Sequence, residues 1–538
     1  MNMELEYPAT VPGMAEFMKD RYGPRAQVID AHGVASFDEI YSRAGAVACG
    51  LIGAGIAKGA RIGLLLPNGA PYVEALFGIL RAGGHAVLIS TLARPRELAH
   101  MIRHADIDHL IMADRYLSHD YVSYIEQAFP AVSTQDGSRP LRLHEAPFLR
   151  SVWTWGERCP SWARGDRATL EAMGGSIDAD YLRALEDQIM PSDSAILIYT
   201  SGSTSEPKAV VHSHGNVARQ AWQMRRHISI DPGDRLITTM PFFWVGGLCA
   251  ALLAASVCGA ATVCPDRLTV DGVRAAIDEH DGSHVALVES QMSALLSSPG
   301  FRSLRDRLKP YLAQQLRLFE QAPADLTPNC LGMTETFGPH SMELATAILP
   351  AGREYSFGRA VGGIERKILD PETGASLPPG QEGELWVRGG ALMTGFHRKE
   401  RHEVFDRDGF YNTGDRCRLS ADGHLFFAGR TGDMIKTAGA NVAPAEVEDA
   451  LMAEQEIAEA AVVGLPDQAL GEVPISAVVL RNGSTIDETD LIERLRSRLA
   501  SYKIPKRVVF LEAREIPRTA GGKINKLGLR TLLADRLS

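Results

Sequence analysis

The sequence lacks the material for disulfide chemistry. Its seven cysteines are odd in number and scattered, with no CxxC pair and no Cys/His cluster of zinc spacing, which excludes a disulfide framework and a structural zinc site. A reducing, cytoplasmic setting is expected. Basic runs are missing as well: the formal net charge is −10 and the pI ≈ 5.9, so no nucleic acid is expected as a partner. The opening MNMELEYPAT has neither a basic n-region nor an apolar stretch, which removes a secretory signal. One stretch, Leu236 to Pro265, is free of charged side chains and matches on paper the ~20 apolar residues of a membrane span. Pro241, Gly246, Gly247 and Gly259 break it into a strand, a loop, a helix near Leu248 to Val257 and a second strand. A helix that short covers ~15 Å, half the bilayer's hydrocarbon core. Buried α/β core is expected instead, with no transmembrane segment. Internal repeats and low-complexity tracts are absent.

What is present is a chain of 538 residues, 45% hydrophobic, enough to bury large cores in more than one domain. Ile62 to Leu66 reads as a strand, Pro71 opens a helix reaching Ala82, Gly83 and Gly84 stop it, and Ala86 to Ile89 returns as a strand. That is a βαβ unit. The alternation recurs with a helix from Pro95 to His104 before HLIMA, and from Asp271 to His280 before HVALVE. The pattern predicts an α/β fold of open, mostly parallel sheets flanked by helices. From Phe357 onward, short strands separated by DPETG, PPGQEG and ADGH predict a small antiparallel barrel or sheet, a barrel being the first expectation. After Arg430 a compact α+β unit follows, with helices Ala445 to Met452 and Glu488 to Leu499 and strands AAVVGL, PISAVVL and RVVFLE. The expected division is residues 1–430 and 433–538, with the boundary near 430–433.

The most informative segment is Tyr199 to Lys208, YTSGSTSEPK. AILIY before it and AVVH after it read as strands, so the loop joins strand to strand and is not a Walker loop, which needs GxxxxGK[ST] opening a helix. Backbone N–H groups at Gly202, the hydroxyls of Thr200, Ser201, Ser203 and Thr204, and Lys208 suit a polyphosphate. Taken alone, the segment also reads as an ordinary Ser/Gly-rich turn.

Three distant segments decide between these readings: LGMTET at Leu331 to Thr336; YNTGD at Tyr411 to Asp415 with AGRTGDMIK at Ala428 to Lys436; and PRTAGGKINK at Pro517 to Lys526. In this order and spacing the motifs resemble the adenylate-forming superfamily, which comprises acyl-CoA synthetases, peptide-synthetase adenylation domains and luciferases, and the resemblance spans nearly the whole chain. It implies that a carboxylate attacks the α-phosphate of ATP, releasing pyrophosphate, and that CoA then takes the acyl group as a thioester. By the same resemblance, Lys523 bridges α-phosphate and carboxylate, Thr334 donates to the α-phosphate, and Glu335 offers a hard oxygen to Mg2+. Asp415 and Arg430 bind the ribose. The smaller domain is mobile, with Gly432 at its hinge, and Lys436 and Gly439 line the approach of CoA.

The chain departs from the family pattern in places. Ser205 and Ala209 stand where the phosphate loop usually has glycine, and Leu331 where an aromatic residue stacks on adenine. The Gly-Gly-Ala-Pro stretch expected some twenty residues before MTET is missing, leaving LRLFEQAPADLTPNC and no assigned adenine contacts. In the acid pocket, PFFWVGGL has no aspartate to pair an ammonium, which disfavours α-amino acids. Phe243, Trp244, Gly246 and Gly247 are its expected lining, with Trp244 in the place of a frequent histidine; the aromatic residues serve equally as plain core. An apolar acid, fatty or aryl, fits such a pocket. The leading expectation is an ATP-dependent carboxylic acid:CoA ligase. Its alternatives are a ligase passing the acyl group to an amine or carrier protein, a luciferase-like oxygenase, and a nucleotide-binding regulator without turnover. Acid chain length and oligomeric state are not encoded legibly.

Overall fold

Short runs such as RIGLL at Arg61–Leu65, apolar without alternation, form strands buried on both faces, as parallel sheets covered by helices require. The computed structural model describes residues 5–200, 208–437, 440–442, 444–467, 470–496, 499, 503–519 and 522–537. These fall into two compact units: residues 1–355, 360–364 and 388–408 form one, and residues 356–359, 365–387 and 409–538 the other.

The first unit is built on an eight-stranded sheet in the order Gly395–Phe396, Lys208–Ser213, Ser194–Thr200, His85–Leu88, Arg61–Leu65, His109–Ala113, Ser151–Trp155, Gly165–Asp166. From Ser194–Thr200 to the far edge the neighbours are parallel, while Lys208–Ser213 runs antiparallel to both of its neighbours. The expected βαβ unit is present as Arg61–Leu65, Ala70–Arg81 and His85–Leu88. Pro71 sits in the helix's first turn, where its missing N–H costs nothing, and the Asp30 carboxylate accepts from Ala70 N at 2.7 Å. A second, five-stranded sheet carries Arg235–Thr238, Ala261–Val263 and His284–Ala286, the last at its edge. The expected helix in the uncharged stretch starts earlier than its sequence suggests. Gly246–Leu253 is a π-helix, and Ala254–Val257 continues it as α-helix. Among the described residues, no helix is long and apolar enough to cross a membrane.

In the second unit, the small barrel expected after Phe357 is instead an open antiparallel sheet of four strands, Ile364–Leu369, Glu382–Gly389, Tyr411–Leu419 and Leu425–Arg430. Turn signals predict the hairpins correctly, but closure depends on pairing the outermost strands, which no local signal encodes. The C-terminal residues form a five-stranded sheet with helices. Along Ile457–Asp467 the side chains alternate, Val462 joining one apolar cluster with Val447 and Leu491, and Ala461 and Val463 joining another with Leu529 and Leu533. Both faces of that sheet are therefore covered.

Candidate active site

The strands Ser194–Thr200 and Lys208–Ser213 pair so that Thr200 lies directly opposite Lys208. The candidate phosphate loop is thus the connection of a β-hairpin, as its flanking apolar runs predict. Ser201, Gly202, Ser203 and Thr204, like Gly439 elsewhere, lie outside the described residues. Lys208 is exposed, its Nζ 5.5 Å from the centre of the Phe396 ring. On the paired strand, Tyr199 Oη lies 2.9 Å from His104 Nδ1 and donates to Met101 O at 3.3 Å. His397, whose backbone N donates to Ala209 O, has its Nε2 3.2 Å from Asp106 Oδ2. Burial pushes both of these imidazoles below the usual histidine range.

Thr334 and Glu335 lie on a tight 3₁₀ turn, Thr334–Thr336, between the antiparallel strands Leu331–Met333 and Gly338–Met342. Several bonds fix this turn. Thr336 Oγ1 donates to Gly338 O at 2.7 Å, and Met393 N donates to Glu335 O at 2.7 Å. The third is His212 Nε2, 2.8 Å from Thr334 O. Because a carbonyl only accepts, His212 is the Nε2–H tautomer, and burial pushes its pKa down to about 4. Phe337, which follows, is fully buried, holds φ 49, and sets its ring 4.9 Å from that of His212. A left-handed phenylalanine costs ~1–3 kcal/mol, strain of the kind found where surrounding structure over-determines a functional turn. His212 therefore links the strand leaving the candidate phosphate loop to the turn carrying Thr334 and Glu335. Sequence reading placed it only as the last residue of a strand; the available signal was a polar side chain closing an otherwise apolar run.

The loop before the π-helix is clamped by Asn68, whose amide donates to Met240 O and accepts from Phe242 N, each at 2.9 Å. Phe243 is buried, Trp244 half-buried, and their rings stand 5.1 Å apart. Gly247 has to be glycine, since a Cβ there would meet Pro241 O at 2.1 Å. Gly246 beside it is half-buried. Among the described residues no strand intervenes between His284–Ala286 and Leu331–Met333, matching the missing Gly-Gly-Ala-Pro stretch. Gln315 takes over the exposed edge: its Nε2 donates to Val285 O at 2.8 Å while its Oε1 accepts from Tyr311 N at 2.6 Å.

In the second unit, Asp415 and Arg430 are cross-strand partners, and Arg430 Nε lies 2.8 Å from Asp415 Oδ1. Asp415 is buried and Arg430 exposed, so the pair presents an anchored carboxylate beside a guanidinium that also reaches Thr413 O at 3.5 Å. Gly432 is exposed in the turn Thr431–Asp433. Lys436 lies on the strand Ile435–Thr437, opposite Asn441. Lys523 is exposed near the tip of a hairpin closed by a bridge between Arg518 and Ile524, with Thr519 N donating to Lys523 O at 2.7 Å. The Arg518 guanidinium grips both Glu459 oxygens, at 2.7 and 2.6 Å, which fixes the hairpin's base. Gly522, at φ +82, makes the sharp turn before the lysine.

The family model described as AMP-binding enzyme matches residues 17–397, and that of the AMP-binding enzyme C-terminal domain matches residues 446–523. A sulfoacetate–CoA ligase of Cupriavidus necator is 27% identical over 505 residues, covering 92% of each chain. An indoleacetate–CoA ligase of Aromatoleum aromaticum is 31% identical over 373 residues, covering 68% of this chain and 71% of that one. Among solved structures, ATP-bound MatB of Rhodopseudomonas palustris superposes with a TM-score of 0.79 at 24% identity, covering 98% of this chain and 100% of its own.

Proposed function

The chain belongs to the AMP-binding enzyme family, and from that premise we propose that it is an ATP-dependent carboxylic acid:CoA ligase acting through an acyl-adenylate on an apolar acid, fatty or aryl. The observation that carries the reading is the bond from His212 to Thr334, which ties the strand leaving the phosphate loop to the turn bearing the two proposed phosphate-side residues. Related chains named as CoA ligases for sulfoacetate and indoleacetate support the acid–thiol chemistry without fixing the acid.

In this reading the residues from Thr200 to Lys208 hold the phosphates, and Thr334 donates to the α-phosphate. Glu335 suits magnesium: it is a hard carboxylate oxygen on a pinned backbone, and magnesium commonly takes one or two carboxylates alongside phosphate oxygens. When bound, the ion neutralises charge on those phosphates. Asp415 accepts the ribose hydroxyls and Arg430 donates to one, by analogy with acidic residues that read ribose elsewhere. Lys523 supplies the positive charge that meets the phosphoryl oxygens as the acid's oxygen attacks and pyrophosphate departs. Thioester formation then needs Lys523 withdrawn and the thiol admitted, which we assign to rotation about Gly432, with Lys436 and Gly439 lining the thiol's approach. In this reading the hinge divides the chain by function into residues 1–430 and 433–538, a different partition from that of the two compact units.

The test is pyrophosphate release from a panel of carboxylic acids with ATP, with and without CoA, repeated on Lys523→Ala. Acid-dependent release that turns over only with CoA and drops in the variant is expected. Turnover indifferent to CoA would point to an amine or carrier acceptor, and release unaffected by Lys523→Ala would remove the proposed mechanism.

A further inference from the structure

Three elements meet behind the catalytic turn: the helix His214–His227, the π-helix Gly246–Leu253, and the strand Gly338–Met342. Gln220 stands at their junction. It is fully buried, and its Nε2 donates to Pro339 O at 2.7 Å. A Cβ placed on Gly338 would lie 3.1 Å from Cys249 Sγ and 3.7 Å from Gln220 Nε2, so helix, π-helix and strand are in close contact here. The amide's orientation is decided by chemistry: Pro339 O can only accept, so the nitrogen faces the strand and Oε1 faces away from it. Among the described residues that oxygen has no hydrogen-bond partner.

A buried carbonyl without a donor is rare in a folded protein and marks a place that water or ligand completes. Its position selects the ligand. The π-helix begins with Gly246 and Gly247 of the proposed acid pocket, and the strand continues from the turn holding Thr334 and Glu335. An acid that presents its carboxylate to that turn and lays its body along Phe243 to Gly247 would extend past Gly247 toward Cys249, and so toward this junction. An amide oxygen accepts a hydrogen bond but offers a cation no counter-charge, so an ammonium there would be buried unpaired.

We propose that Gln220 closes the acid pocket and selects carboxylic acids bearing a neutral hydrogen-bond donor, a hydroxyl or an N–H, at the end remote from the carboxylate. This inference rests on the ligase reading and refines its substrate class.

The experiment compares kcat/KM for pyrophosphate release between matched acids: phenylacetic acid against its ring-hydroxylated and ring-aminated isomers, and octanoic acid against ω-hydroxyoctanoic acid. The wild-type protein should favour at least one donor-bearing acid by about ten- to hundredfold, the range expected when a buried acceptor gains or lacks its partner. Gln220→Met, near in size and without the amide oxygen, should bring the pair to within about twofold. Thermal melting checks that the variant is folded, and Gln220→Leu replaces it if it is not. Equal rates within every pair for the wild type overturn the inference, because a bound water then satisfies the oxygen. A preference that survives removal of the amide overturns it too. No pyrophosphate from any acid removes the ligase reading itself, a different failure from turnover that ignores the donor.

Discussion

The turn bearing Thr334 and Glu335 and the hairpin bearing Lys523 are both short polar segments, yet they are built in opposite ways. The turn is braced from outside its own sequence by His212, from the strand after the phosphate loop, and by the backbone of Met393. The hairpin is braced from outside at its base, by Arg518 on Glu459, and leaves Lys523 exposed. Residues that must wait in one place for a charge to develop gain from such bracing, because fixed donors need no reorganisation. A residue that must act in one half-reaction and leave for the next gains from its absence.

Breaking the hairpin side should give the largest effect. Lys523→Ala should lower acid-dependent pyrophosphate release by ~10²–10³-fold, the scale seen when one aimed donor is removed, while thermal stability stays unchanged because the side chain is exposed. A fall in melting temperature matching the fall in rate would assign Lys523 to folding rather than chemistry.

Next in size is the hinge. Among the described residues no atom lies within 4 Å of a Cβ placed on Gly432, so nothing among them demands glycine in this conformation. If the residue serves a second conformation, Gly432→Pro should leave adenylation within about threefold and depress thioester formation by at least about tenfold, because fixing φ removes one of the dihedrals a hinge must turn. Pre-steady-state measurement separates the half-reactions; an equal loss in both would make Gly432 a plain turn residue.

The bracing of the turn is probed by His212→Leu, which leaves Thr334 O buried without its donor. We expect ~1–3 kcal/mol of lost stability and a smaller adenylation defect than Lys523→Ala. His212→Gln, which keeps an N–H within reach, should recover part of both. If leucine costs stability alone, the bond supports the fold without positioning Thr334.

Local signals were legible where local physics decides. The helix Pro95–His104 and the strand His109–Ala113 have the bounds their residues predict, and the strand-to-strand phosphate loop followed from two apolar runs too short for helices. What escaped was set by residues distant in sequence. His212 and Thr334 are 122 positions apart and Asn68 and Met240 are 172 apart, so neither brace leaves a periodic trace. The same holds for the open edge of the four-stranded sheet and for Gln315, a side chain that replaces the bonds of an absent strand. The π-helix escaped for a different reason: its composition is that of any buried apolar helix.

The last comparison concerns acid, and it sharpens the contrast between the units. In the first unit, burial is the leading cause that lowers His85, His109, His212, His214 and His284 to about 4. In the unfolded chain a histidine titrates near ~6.5. Between these values the unfolded state binds more protons than the folded one, so stability rises with pH across that window and is lost as pH falls through it. Below about 4 the histidine contribution is exhausted. The second unit holds none of these residues. The melting temperature of the first unit, followed through its buried Trp153, Trp162 and Trp222, should therefore decline steadily from near-neutral pH toward 4. His212→Gln should flatten that decline slightly, by removing one titrating group, although it lowers stability at neutral pH. A melting temperature constant over the window would mean that these imidazoles already carry their protons in the folded protein, and the neutral Nε2–H donor assigned to His212 would lose its basis.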